Sequence, residues 1–148
     1  MNDKTLKFHD AHFELICNQL KIYSDLAQVL IKKNELEKAT TILNLGTSLL
    51  KESNIRNSFF LVPYIKYYYQ LNKNDIADKF LESTFDMNCK FLELAKSNSN
   101  IDKQKIRTSL WVINELDKLD NNKHPNKMMS QKIKKAKKEY LDYFGYSN

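Results

Sequence analysis

The chain has 148 residues with a net charge of +6, and hydrophobic residues make up 42% of it. That balance fits a globular protein able to bury a core without disulfides or metals, and excludes a disordered chain. Glycine and proline number two each, which argues against β-rich folds, with their frequent turns, and against a glycine-rich phosphate loop.

Apolar residues recur at helical spacing along almost the whole chain. The first predicted helix runs from Asp10 to Lys33 on the stripe Phe13, Ile16, Leu20, Tyr23, Ala27, Leu30 and Ile31. Asn34, with Glu37 at the capping-box distance, reads as the N-cap of a second helix. That helix extends to about Lys51 and buries Leu36, Ala39, Ile42, Leu43, Leu49 and Leu50. Asn54 to Asn57 reads as a loop. A third helix starts between Ser58 and Val62, with Pro63 in its first turn. Its cluster Tyr64, Tyr67, Tyr68 and Tyr69 must cover more than one face at about 100° per residue. Tyr64 and Tyr68 are expected inside, leaving Tyr67 or Tyr69 more exposed.

Asn72-Lys73-Asn74 is a short turn into a fourth helix containing Ala77, Leu81, Phe85, Cys89 and Leu92. After the loop Ser97 to Asn100, a fifth helix carries Ile106, Leu110, Trp111, Ile113, Leu116 and Leu119. Asp120 to Lys123 breaks it, and Pro125 opens a sixth with Met129, Ile133, Ala136, Tyr140, Leu141 and Phe144. The expectation is an all-α fold of about six helices in antiparallel hairpins. It forms one helical domain over 1–148, with hairpins over 10–51, 58–96 and 102–144.

The pattern Tyr23-x-x-Leu26-Ala27-x-x-Leu30, then Ala39-x-x-x-Leu43-x-x-Gly46, resembles a tetratricopeptide repeat. A weaker copy has Tyr68, Ala77 and Leu81, with Ile65 where the motif prefers a small residue. The resemblance implies a non-catalytic module with a ligand groove along the first helix of each hairpin. That groove would be lined by Lys21, Ser24, Gln28 and Lys32, then by Phe59, Val62, Lys66, Tyr69 and Gln70. Its lysines would suit a protein or peptide partner bearing carboxylates. The order Leu26-Ala27-x-x-Leu30-Ile31, Glu37-Lys38-Ala39, Val62-Pro63-Tyr64-Ile65-x-x-Tyr68-Tyr69, Ala77 also resembles a soluble C-terminal helical region. It belongs to multi-spanning membrane proteins of glycosyltransferase type found in Bacteroidetes. This implies an accessory part of a membrane-associated glycosylation system, exposed on the periplasmic face. A complete chain without a signal pattern is expected in the cytoplasm instead.

The basic excess is local. Seven lysines and no acid lie between Lys123 and Lys138, and the remaining 17 basic residues meet 18 acidic ones. The alternative function is therefore binding of nucleic acid or an anionic surface through Lys132, Lys134, Lys135, Lys137 and Lys138. Against it stand the lack of interleaved aromatics and of an arginine in this segment, and the lysines lie opposite an apolar stripe. No stretch is apolar enough to span a membrane. His9 and His12 are three apart, but no motif completes a metal site, and His124 has no visible partner. Cys17 and Cys89 read as small core residues. No cofactor and no catalytic residue is expected, since no nucleophile is paired with a base.

Overall fold

The computed structural model describes residues 3–52, 58–98, 100–120 and 126–146, with side chains 3–11, 52, 58 and 120 outside that description. Among the described residues there are six α-helices and no strand. They are α1 (Asp3–Lys32), α2 (Leu36–Glu52), α3 (Leu61–Gln70), α4 (Asn74–Ser97), α5 (Lys103–Asp120) and α6 (Lys127–Phe144), with a 3-10 turn at Ser58–Phe60. The chain forms two compact units that divide between Asn72 and Lys73.

In the first unit, α1 and α2 form an antiparallel hairpin and α3 packs on both. α1 starts at Asp3, a turn and more before the expected Asp10. The hairpin closes differently from the capping box expected at Asn34. Asn34 is left-handed (φ 61°). Its N–H donates to Ile31 O at 3.0 Å, and the Glu35 N–H reaches back to Leu30 O at 2.9 Å. This is the Schellman arrangement, with asparagine in the place glycine usually holds. The Glu35 carbonyl then accepts the first bond of α2, from Ala39 N. Asn34 therefore ends α1 rather than starting α2.

A related turn follows 38 residues later. Asn72 has φ 57°, its N–H donates to Tyr69 O, and Ala77 N donates to Lys73 O. The positions around both turns also match in burial: Ala27 with Ile65, Ala39 with Ala77, and Leu43 with Leu81 are all fully buried. A tyrosine clamp completes the first unit. Tyr64 donates to Leu20 O on α1 at 2.9 Å, and Tyr68 donates to Asn44 Oδ1 on α2 at 2.8 Å. Both rings are fully buried and Tyr67 nearly so, while Tyr69 is half-buried, as the spacing required. Leu36, expected in the core, is instead exposed.

In the second unit α4, α5 and α6 pack on one another. The interior includes Phe85 and Leu92 of α4, Val112, Ile113 and Leu116 of α5, and Met129, Ile133 and Tyr140 of α6. Trp111, among the apolar residues of the predicted fifth helix, is 40% exposed because its neighbours Leu110 and Val112 take the buried face. Asn126 caps α6 by accepting from Met129 N at 3.1 Å. Gly145 ends it at φ 74°, with Tyr146 N donating to Leu141 O. The loop expected at Asn54 to Asn57, the residues after Asp120 in the expected break, and Pro125 lie outside the described residues.

Candidate protein-interaction surface

α1 is apolar on two faces. Its inner face buries Ile16, Leu20, Ser24 and Ala27. Roughly opposite, Leu15 is 63% exposed, Ile22 62%, Leu26 40% and Val29 45%. Three of these four residues are spaced by sevens and Leu26 falls between them, so they share one side of the helix. The side chains span about 21 Å of helix at 1.5 Å per residue. Exposed apolar residues aligned on one side of a helix differ from single exposed leucines, which are ordinary on a protein surface.

The residues expected to line a groove divide between surface and interior. Lys21 and Lys32 are exposed, and Gln28 is half-buried on α1. Lys66 and Gln70 are exposed, and Tyr69 is half-buried on α3. Ser24 is only 7% exposed and its hydroxyl pairs with Tyr67, so it belongs to the packing of α3 on α1 rather than to a binding surface. Of the two further groove positions, Val62 is buried and Phe59 is exposed. Burial pushes the Tyr67 phenol above its ordinary value, Asp25 nearby adds to this, and the Ser24 hydrogen bond opposes it.

The lysines of α6 also divide. Lys132, Lys134, Lys135 and Lys138 are exposed. Lys137 is held by Asp117 of α5 at 2.7 Å, where Asp117 is only 14% exposed. It is an internal tie of the second unit. Lys96 bridges Glu93 and Glu139 and lies 4.7 Å from the centre of the Tyr140 ring. This pins α4 to α6 through cation–π and ionic contact.

His12 is exposed, while the side chain of His9 and all of His124 lie outside the described residues. Among the described residues no group of three or more His, Cys, Asp or Glu is placed to hold a metal ion. An open depression on α4 is bordered by Cys89, Lys90, Glu93 and Leu94. Burial raises the Cys89 thiol to about 11, so it is a protonated thiol near neutrality and a poor nucleophile. Burial likewise raises Cys17, with Glu14 adding to the effect. Among the described residues no helix is long and apolar enough to cross a membrane. The outer stripe of α1 was missed in the sequence, although the spacing of Leu15, Ile22 and Val29 by sevens was a readable signal. Comparison with family models, with curated proteins and with solved structures returns no match to this chain.

Proposed function

We propose that the chain is a non-catalytic, tetratricopeptide-like helical module that binds protein, with α1 as its main contact element. The observation that carries this reading is the outer stripe Leu15, Ile22, Leu26 and Val29, exposed on a helix whose opposite face buries Ile16, Leu20, Ser24 and Ala27. The repeat-like part is supported by the matched asparagine turns at Asn34 and Asn72 and by the matched buried positions around them. Lys21 and Lys32, exposed on α1, favour a partner with carboxylates. Accessory service in a membrane-associated glycosylation system follows from the sequence resemblance alone.

Capture by the immobilised protein tests the reading. The wild type should retain a protein partner, a second copy included, and Ile22→Lys should lose it while helix content stays the same. Undiminished capture by Ile22→Lys would remove α1 from the binding surface.

A second reading is favoured by the exposed Lys132, Lys134, Lys135 and Lys138 of α6, which would attract nucleic acid or an anionic surface. It predicts binding that falls steeply with salt. Lys132→Gln, Lys135→Gln and Lys138→Gln together should abolish that binding, and retention by the triple variant would reject it.

A further inference from the structure

We propose that the stripe on α1 is a self-association seam, on which a second copy of this chain docks its own α1 antiparallel to the first. The proposal rests on the reading of this stripe as a protein-binding face and names its occupant.

Two features point to a second copy. The first is the seam itself. Leu15, Ile22 and Val29 repeat every seven residues with Leu26 between them, the spacing by which two helices interlock side chains along a common line. The midpoint of Leu15 and Val29 is Ile22, so a two-fold axis near Ile22 lays the stripe of one copy on the stripe of the other. A surface of this kind meets the self-complementarity that an isologous interface demands.

The second is charge. Glu14, Lys21, Asp25 and Lys32 are all exposed and lie seven, four and seven residues apart, within an arc of about 40° along one edge of the stripe. The pair Glu14 and Lys32 and the pair Lys21 and Asp25 are both centred on Tyr23. In each pair the two residues are opposite in sign. Reversing the helix about this centre therefore sets Glu14 against Lys32 of the second copy and Lys21 against Asp25 of the second copy. In an antiparallel pair like edges meet, so all four charges find opposite partners. A parallel pair would bring this edge against the other one, which carries Gln19, Tyr23 and Leu30 and no formal charge there. The apolar seam supplies affinity, and the charges select the orientation.

Sedimentation velocity of the full chain over micromolar to several-hundred-micromolar concentration tests this. The expected species is twice the 17.5 kDa chain mass. Ile22→Lys should be monomeric with unchanged helix content, since Ile22 is 62% exposed. A Lys21→Asp, Lys32→Asp chain and a Glu14→Lys, Asp25→Lys chain should each dimerise roughly tenfold more weakly, and their mixture should form a heterodimer. A wild type that stays monomeric, a dimer that survives Ile22→Lys, or charge variants that do not prefer each other would overturn the proposal. Should the wild type stay monomeric yet capture a different protein, with Ile22→Lys losing that capture, only the identity of the occupant fails. If neither self-association nor capture depends on Ile22, the protein-binding reading fails with it.

Discussion

Gly46 of α2 leaves the space that the ring of Tyr64 fills. A Cβ placed on Gly46 would lie 2.6 Å from Cε1 and 2.7 Å from Cζ of that ring. The ring cannot retreat easily, because it is fully buried and its hydroxyl is bound to Leu20 O. This one contact ties α1, α2 and α3 together.

Gly46→Ala therefore sets two effects against each other. Alanine in a helix interior is favoured over glycine by roughly 1 kcal/mol. Overpacking against a fixed ring costs about 1–3 kcal/mol. The net expectation is a loss of stability in urea unfolding. Tyr64→Phe should lose about 0.5–1.5 kcal/mol with its hydrogen bond and should not rescue Gly46→Ala, since ring carbon as well as hydroxyl meets the new methyl group. A stabilised Gly46→Ala would show that α2 and α3 do not approach so closely.

The two left-handed asparagines should tolerate glycine and not alanine. At Asn34 and Asn72, with φ of 61° and 57°, glycine has no steric penalty, whereas alanine pays roughly 1–2 kcal/mol. Asn34→Gly and Asn72→Gly should be close to neutral, and the two alanine variants should each lower the unfolding midpoint. Equal effects of Gly and Ala would argue that the side-chain amide, not the backbone conformation, is what these positions need.

Stability should fall on the alkaline side. Burial raises Tyr64, Tyr67 and Tyr68 above the ordinary phenol value, and Cys89 to about 11. A folded pKa raised above the unfolded one means that the unfolded chain gives up its proton first. The contribution is fully present below the unfolded values, about 8.5 for cysteine and 10 for tyrosine. It is lost as pH rises through the folded values. Urea midpoints should be flat with respect to these groups between pH 7 and 8 and decline above about pH 9, more steeply above pH 10. Tyr64→Phe should flatten the decline. A midpoint that holds constant to pH 11.5 would contradict the burial of these hydroxyls.

Much of the fold was legible because helical spacing reports burial directly. The placement of Tyr64 and Tyr68 inside follows from 100° steps, while the choice between Tyr67 and Tyr69 for the more exposed position is made by the packing of α3 on α1, which buries Tyr67. Asn34 reads as an N-cap in the sequence because asparagine suits both a helix N-cap and a left-handed helix end, and only the backbone bonds of Glu35 decide between them. Ser24 sits at a position that the repeat resemblance assigns to the groove, yet its small hydroxyl can serve Tyr67 in the interior. Which side of α1 faces inward was legible from Ile16, Leu20 and Ala27. The seven-residue spacing of Leu15, Ile22 and Val29 shows a second apolar side, but whether that side stays uncovered depends on packing that one dimension does not carry.

The lysines of α6 form one basic segment in the sequence but serve two different ends in the fold. Lys137 bonds Asp117 Oδ2 at 2.7 Å, and the other carboxylate oxygen, Asp117 Oδ1, is buried without a hydrogen-bond partner. Lys137→Gln would leave that carboxylate poorly compensated between α5 and α6. A charge-assisted bond of this sort is worth about 1.5–3 kcal/mol, and partial solvent access of Lys137 reduces the expected loss to about 1–2 kcal/mol. Lys135→Gln and Lys138→Gln, on the exposed side, should change stability by no more than about 0.5 kcal/mol. Urea unfolding of the three single variants separates the cases. If Lys137→Gln is as silent as the others, the pair with Asp117 contributes nothing to holding α6, and Lys137 can be counted with Lys135 and Lys138 in meeting an anionic partner. If it is the only costly change, any loss of phosphate binding in a variant lacking Lys137 has to be corrected for unfolding before it is credited to charge.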